Sequence, residues 1–329
     1  MKKEILEALK QNKGKFISGE ELSIKIGVTR TAIWKHIKQM KEDGYDIDAV
    51  SRRGYRLIQE PDTLELNELQ IDMKTRLIGS NLIYYPSIDS TNNEAKKEAA
   101  AGAPEGTVII ADEQTGGRGR LGRQWVSPKG TGIWMSIILK PELEPAEAAK
   151  ITQLTAASVA TALRNVTGCE AGIKWPNDII INKKKVCGIL TEMSAELNSV
   201  NHIIVGMGIN VNVDPEEFPE EVRSIATSVK ESVGHEIYRK EIVLEILRIF
   251  EDLYLDFIRR KSIDKSVGIC RKYSVTLGNQ VRIISKDKVV YAEAVDLTED
   301  GELLIRNEAG EIEKIISGEV SVRGVSDYI

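Results

Sequence analysis

Apolar positions change their spacing three times along the 329-residue chain, and each change marks a different kind of element. Over the first sixty residues the spacing is helical. Ile5, Leu6 and Leu9 predict the inner face of a first helix. Ser18 and Glu21 stand at capping-box spacing ahead of Leu22, Ile24 and Ile26. After a turn at Gly27-Val28, Thr29 can cap a further helix whose Ile33, Ile37 and Met40 recur at i, i+4 and i+7. That helix leaves Arg30, Thr31, Trp34, Lys35 and Lys38 on its other faces, and Gly44 ends it. "DIDAVSRRGYRLI" then alternates like a strand, turns at Arg53-Gly54 and returns.

Helix, helix, turn, basic helix and basic-tipped hairpin make the pattern of a winged helix-turn-helix, although a small helical domain with a solvated basic face fits it too. On the DNA-binding reading, Arg30, Thr31, Trp34, Lys35 and Lys38 face the duplex. Arg52 and Arg53, at the hairpin tip, reach a phosphate or a minor groove.

The pattern breaks at Glu60-Pro61-Asp62, which predicts a linker and a first domain over 1–62. From 66 to 270 helical and strand segments mix. An Ala-rich stretch at 146–165 turns Ile151, Leu154 and Val159 inward, and "TVIIA", "GIWMSIIL", "DIIIN", "GILTEM" and "HIIVGMGINVNV" read as strands. Strands in neighbouring pairs with few helices between them predict a mixed α+β layer, not a doubly wound parallel sheet. Over 271–329 short alternating runs are punctuated at Gly278-Asn279, Lys286-Asp287, Asp300-Gly301 and Ala309-Gly310, the pattern of a small all-β barrel. The fold class is therefore multidomain α+β.

Charge sharpens this division. Residues 1–60 hold 13 Lys and Arg against 9 Asp and Glu, while the whole chain is at −5. A basic head on an acidic body points to one module that faces nucleic acid. No apolar run reaches the roughly 18 residues a membrane span needs, and the charged start MKKEILEALKQ has no signal-peptide pattern. Cys169, Cys187 and Cys270 are far apart and odd in number, which fits free thiols in a cytoplasmic protein. The three histidines are equally scattered, against a histidine metal site or a Ser-His-Asp hydrolase.

Residues 114–125, "QTGGRGRLGRQW", interrupt this ordinary composition with four glycines and three arginines. The stretch lies between two strand-like runs, so it is a loop within a folded domain and not a disordered tail. Glycines let backbone approach an anion and arginines supply bidentate donors, although no G-x-x-x-x-G-K-[ST] phosphate loop occurs. Three further stretches carry polar chemistry. "SIDSTNNEA" gathers Ser90, Thr91 and Asn92, as a binding cluster or merely a helix cap. "KWPNDIIINKKKVCGILTEM" holds Lys174, Asn177, Asp178 and Lys185 around a basic turn. "VGMGINVN" places glycines inside an apolar strand, a frequent mark of close approach by a ligand or backbone.

G-R-G-R-L-G-R-Q-W, K-W-P-N-D, K-V-C-G-I-L-T-E and G-M-G-I-N-V-N, in this order and spacing, resemble the biotin–protein ligases. With the N-terminal module the chain resembles the bifunctional bacterial type, ligase and biotin operon repressor in one. The resemblance implies a catalytic domain over 66–270, an SH3-like barrel over 271–329, and formation of biotinyl-5′-AMP from biotin and ATP-Mg²⁺. Transfer to a lysine of a biotin carboxyl carrier protein follows. It implies Arg120, Arg123, Lys185 and Asp178 as catalytic, with Asp178 accepting the lysine's proton or lying near Mg²⁺. Biotin falls to Ser90, Thr91, Asn92, Gln114, Gly117, Arg118, Gly119, Arg120, Trp125, Lys185, Gly188, Gly206 and Gly208, and the adenylate to Arg118, Arg120, Arg123, Asn177, Lys185 and Asn210. Leu121 departs from relatives that carry a third basic residue there. Operator DNA and a ligand-promoted homodimer are the further implied partners, with "GIWMSIILK" expected to offer a pairing edge. A lipoate-type acyltransferase and a non-catalytic metabolite-sensing repressor are the alternatives.

Overall fold

In the computed structural model, residues 1–12, 14–197, 199–285, 288–316 and 321–324 are described, and the turn expected at Lys286-Asp287 lies outside them. The chain divides into two units, Met1–Met73 and Lys74–Ile329.

The first unit runs α1 (Lys2–Gln11), α2 (Gly19–Ile26), α3 (Arg30–Glu42), β1 (Asp46–Val50), β2 (Gly54–Gln59) and α4 (Leu66–Asp72). The Ser18/Glu21 capping box opens α2, and Thr29 accepts the Ala32 N–H at the start of α3. Ile5, Leu6, Leu9, Leu22, Ile33, Ile37 and Met40 form one core with Tyr45, Ile47 and Leu57 of the hairpin. Ile24 instead points outward, 76% exposed. Helix α4 packs with this unit: Tyr45 donates its hydroxyl to buried Glu68, and Lys10 Nζ lies 2.8 Å from both Glu60 and Asp72.

The second unit begins with β3 (Leu82–Tyr85), α5 (Thr91–Ala100), β4 (Val108–Ala111) and β5 (Gly132–Leu139). Next come α6 (Ala148–Thr167), β6 (Gly172–Lys174), β7 (Asp178–Ile181), β8 (Lys184–Glu196) and β9 (Ser199–Asn210). Four helices follow: α7 (Glu220–Arg223), α8 (Val229–Val233), α9 (Arg239–Arg260) and α10 (Asp264–Lys272). Strands β3 to β9 form one seven-stranded sheet in the order β3-β4-β5-β9-β8-β7-β6, in which only β3 and β4 pair in parallel. The mixed layer expected from the strand pairs is thus present. Ile151, Leu154 and Val159 of α6 are fully buried as their spacing predicts.

One expectation fails here. Strand β5 is not an edge: it pairs with β4 on one side and β9 on the other, and all eight of its residues are buried. An unbroken run of β-formers marks a strand covered on both faces, not one offered to a partner. Beyond Ile189, by contrast, β8 has no strand on its outer side among the described residues.

The chain ends in β10 (Gln280–Ser285), β11 (Lys288–Leu297), β12 (Leu303–Arg306), β13 (Ile312–Ile315) and β14 (Ser321–Gly324), an antiparallel sheet in the order β13-β12-β11-β10-β14. Among the described residues it is an open sheet, since β13 and β14 do not pair. Trp175 ties it to the segment that follows β6: its N–H donates to Thr276 Oγ1 and its Nε1–H to the Gly301 carbonyl, both at 3.0 Å.

Candidate active site

A cavity of about 1060 Å³ opens in the second unit, over the ends of β7, β8 and β9, and the glycine–arginine ribbon forms one wall. The ribbon is a short hairpin, not an open loop. Gln114 bridges Ser127 and Arg118 bridges Gln124, while the tip at Arg120–Gly122 is a single tight turn with Leu121 at φ 58°. Leu121 is 81% exposed there, in a left-handed conformation that non-glycine residues rarely adopt.

Side chains from five elements bring cations together on one side. Lys185, second residue of β8, holds its Nζ 2.6 Å from Asp178 Oδ1 and 5.3 Å from the centre of the Trp125 ring. Its backbone is fixed from the other side, donating to the Ile225 carbonyl (2.7 Å) and accepting from Thr227 N–H (2.9 Å). Arg120 donates to Asn177 Oδ1 at 3.0 Å, and Asn177 donates in turn to the Ile189 carbonyl at 2.9 Å. Arg118 and Arg123 line the same cavity, joined by Arg282 and Arg323 from the C-terminal sheet. Lys174 pairs with Asp178 across β6 and β7 and is 5% exposed. Burial pushes its ammonium down to about 8, against the pull of Asp178 and with the help of Lys185, Arg323 and Arg123. Burial likewise lowers the Arg120 guanidinium, opposed by Asp178.

The other side is neutral and polar. Ser90 caps α5, accepting the Asn93 N–H, so part of the cluster is a helix start. Thr91 donates from both N–H and hydroxyl to Gln114 Oε1 (2.8 and 3.1 Å), and Gln114 Nε2 donates to Ser127 Oγ (3.0 Å). Ser136 Oγ lies 2.8 Å from Thr91 Oγ1 and 2.6 Å from Asn92 Oδ1, while Asn92 Nδ2 donates to Glu192 (2.8 Å). Asn210 is buried, donating to the Thr227 carbonyl at 3.1 Å.

The glycines make room for these side chains. A Cβ on Gly206 would run into the Asn92 amide, and one on Gly208 into the Trp125 indole. One on Gly188 would crowd both Trp125 and Lys185. Of the proposed ligand and catalytic residues, Gly117 alone is absent from the cavity lining: it is required because a Cβ there would strike the Trp125 carbonyl. In the sequence Ser136 shows only as the one hydroxyl in "GIWMSIIL", and nothing sets Lys174 apart from the other polar residues of its stretch. The sequence has no signal for Arg282 and Arg323, which sit about a hundred residues beyond the motifs and arrive through the C-terminal sheet. Among the described residues no three His, Cys, Asp or Glu side chains gather as a metal site.

In the first unit Arg30, Thr31, Trp34, Lys35 and Lys38 are all exposed along α3, with Lys38 Nζ 5.9 Å from the Trp34 ring centre. Arg52 and Arg53 are exposed at the hairpin turn, where Arg52 has φ 66° and Arg53 folds over Phe16, 4.2 Å from the ring centre.

A cavity with a cationic wall, buried at Lys174, part-buried at Arg120 and Lys185 and exposed at Arg118 and Arg123, faces a neutral hydrogen-bonding wall, and this suits a ligand with a polyanionic end and a neutral polar end. Comparison with known proteins gives this shape a family. Residues 84–210 match the biotin/lipoate A/B protein ligase family, 2–56 an HTH domain and 276–323 the biotin protein ligase C-terminal domain. The bifunctional ligase/repressor BirA of Bacillus subtilis is 39% identical over 98% of both chains, and that of Escherichia coli 30% identical over 94% of both. The Aquifex aeolicus biotin protein ligase, solved with biotin and ATP, superposes with a TM-score of 0.64. It is 35% identical, covering 74% of this chain and 99% of its own. The chain belongs to the family of bifunctional biotin ligase/repressors.

Proposed function

We propose a division of labour among this chain's residues. The chain is a biotin–protein ligase with an N-terminal DNA-binding repressor module. The observation that carries the residue assignment is the single cavity whose two walls differ in charge. Biotin's neutral ureido head lies against Thr91, Asn92, Gln114 and Ser136, and its carboxylate points to the ribbon arginines. ATP lies along Arg118, Arg120, Arg123 and Lys185, with its adenosine toward Asn210 and Trp125.

In the first step the carboxylate attacks the α-phosphorus and pyrophosphate leaves. Carboxylic acids of this kind have pKa of about 4–5, so no base is needed. What is needed is a positive field that lets one anion approach another, and desolvated cations supply it best. Asp178 holds Lys185 in position for this. A Mg²⁺ ion bound with ATP would add to that charge neutralisation. Asp178 and Glu221 are the carboxylates lining the cavity among the described residues, which fits an ion held chiefly by phosphate oxygens.

In the second step the amine of a carrier-protein lysine attacks the activated carbonyl and AMP leaves. At pH 7 only on the order of one free lysine in two thousand is neutral, so its proton needs an acceptor. Asp178 fills that role once substrate phosphate has drawn Lys185 toward itself. The ribbon covers the mixed anhydride and keeps water out. The C-terminal strands, an SH3-like arrangement left open between β13 and β14 among the described residues, bring Arg282 and Arg323 to the cavity.

The α3 face and hairpin tip read operator DNA as a homodimer, since one recognition helix covers too few base pairs. Biotinyl-AMP promotes that dimer, and the outer side of β8 is a better surface for it than the enclosed β5. Sedimentation without ligand, with biotin, and with biotin and ATP-Mg²⁺ tests this; equal association in all three overturns it. The ligase reading is tested by pyrophosphate release with biotin and with lipoate separately. Release with biotin alone is expected. Release with lipoate alone makes the chain a lipoate-type enzyme, and none with either leaves a ligand-sensing repressor.

A further inference from the structure

The longest helix of the second unit begins with a residue that a helix start does not favour. Arg239 is the first residue of α9, where the positive end of the helix dipole repels a cation, and it is 2% exposed. Burying a guanidinium is costly unless it is paired and hydrogen-bonded. Two of its bonds run to the two roots of the ribbon hairpin. Nη1 donates to Asp112 Oδ1 at 3.0 Å, one residue past β4 where the ribbon leaves the sheet. It also donates to the Gly132 carbonyl at 3.2 Å, where the ribbon rejoins it as β5. Between these points the Gly130 N–H closes on the Asp112 carbonyl at 3.1 Å.

The same junction is tied to the end of β9. Gly132 pairs with Asn210 in the sheet, and the Asn212 N–H donates to the Thr131 carbonyl at 2.6 Å. Asn212 also exchanges two side-chain hydrogen bonds with the backbone of Ile237, two residues before Arg239 (2.9 and 3.0 Å). Ribbon roots, the Asn210 end of the cavity and the start of α9 therefore meet at one buried knot.

We propose that Arg239 is a positioning residue for adenylate retention. By holding the two ribbon roots together it makes the hairpin, with Arg118, Arg120 and Arg123 at its far end, close as one body over the intermediate. This rests on the reading of the cavity as an adenylate-forming site. Arg239 lines no part of the cavity, so it acts on the adenylate at one remove.

The test uses the full-length protein. Enzyme, biotin and ATP labelled at the α-phosphate are mixed in a single turnover, and bound adenylate is then chased with unlabelled biotin and ATP. Arg239→Met should release labelled adenylate about tenfold faster or more, the scale of a lost hydrogen bond to a charged group. The rate of adenylate formation should stay within about threefold, because every cavity side chain remains. Arg239→Lys, which keeps the charge but not the fork, should fall between. Asp112→Asn should mimic Arg239→Met and replaces it if that variant does not fold. Combined with Arg120→Gly, which loosens the hairpin tip, the two losses should be less than additive. Unchanged release in the variants overturns the proposal. So does a parallel fall of formation and retention, which is what general destabilisation produces. If the unaltered protein forms no adenylate, it is the ligase reading that fails.

Discussion

The chain carries two groups of cations: one is wholly exposed, and the other runs from buried Lys174 through part-buried Lys185 and Arg120 to Arg118 and Arg123 at the exposed rim of the cavity. On α3 and the hairpin tip, Arg30, Lys35, Lys38, Arg52 and Arg53 stand exposed to water. In the cavity, Lys174 is 5% exposed, and burial lowers the proton affinity of both it and Arg120. Exposed charges attract a polyanion over a distance, weakly per residue, and are screened by salt. Desolvated charges are costly to the apo fold but act strongly on whatever anion replaces the missing water. The first group suits a long, regular, exchangeable partner. The second suits a small anion whose charge changes during a reaction.

The contrast is broken most severely at Lys185. Lys185→Ala should slow adenylate formation by about 10²–10³, the usual cost of removing one preorganised donor, in a single-turnover assay. DNA affinity without ligand should be unaffected. A near-normal rate would place Lys185 among the solvated charges.

Lys174 tests the cost of desolvation. Its folded-state pKa of about 8 lies below the ordinary 10.5, so the unfolded chain holds more protons between those values. Stability should therefore rise with pH across that window, and the penalty is complete below about 8. Lys174→Met should stabilise the ligand-free protein at pH 7 by about 1–3 kcal/mol, while slowing adenylation. Denaturant titrations at pH 7 and above 10 should show this gain shrinking at the higher pH; a loss of stability at pH 7 would show that Lys174's partners outweigh its burial.

Arg120 is intermediate, partly buried and bonded to Asn177. Arg120→Gly should raise biotin label on an unrelated bystander protein by about tenfold, the scale of a lost charged hydrogen bond. No rise above the unaltered enzyme would remove Arg120 from the seal. The smallest effect belongs to the exposed set. Lys38→Ala should weaken DNA binding by a few fold whatever the sequence, reduce the salt slope by about 1, and leave ligation unchanged. Loss of sequence preference with an unaltered slope would make Lys38 a base reader instead.

Much of this was legible in the residues because it is local. The capping box at Ser18 and the inward Ile33, Ile37 and Met40 follow from helical geometry alone. The ribbon announced itself by composition, and Lys185 by its motif. What composition hid was set by long-range pairing. "GIWMSIIL" looks like an edge or a centre equally well until its neighbours are known, and they are β4 and β9. Gly206 and Gly208 read as room for a ligand, yet Asn92 and Trp125 use that room. Ser136 is one hydroxyl in an apolar strand, and its value depends on Thr91 and Asn92 arriving from α5. Arg282 and Arg323 reach the cavity only because the C-terminal sheet docks beside Trp175. Arg239 reads as one more surface cation at a helix start until its two bonds to the ribbon roots are seen.

The two cation environments are compared most directly by one salt titration on one protein. With substrates saturating, single-turnover adenylation and DNA affinity are followed together from 50 to roughly 200 mM salt. If 6–10 phosphates are contacted, affinity falls by about 10³–10⁵ over this range. A dimer using the exposed set should behave in that way, while adenylation in the desolvated cavity changes by less than about threefold. Adenylation falling as steeply as DNA affinity would contradict the assignment of Lys185, Lys174 and Arg120 to a water-excluded site.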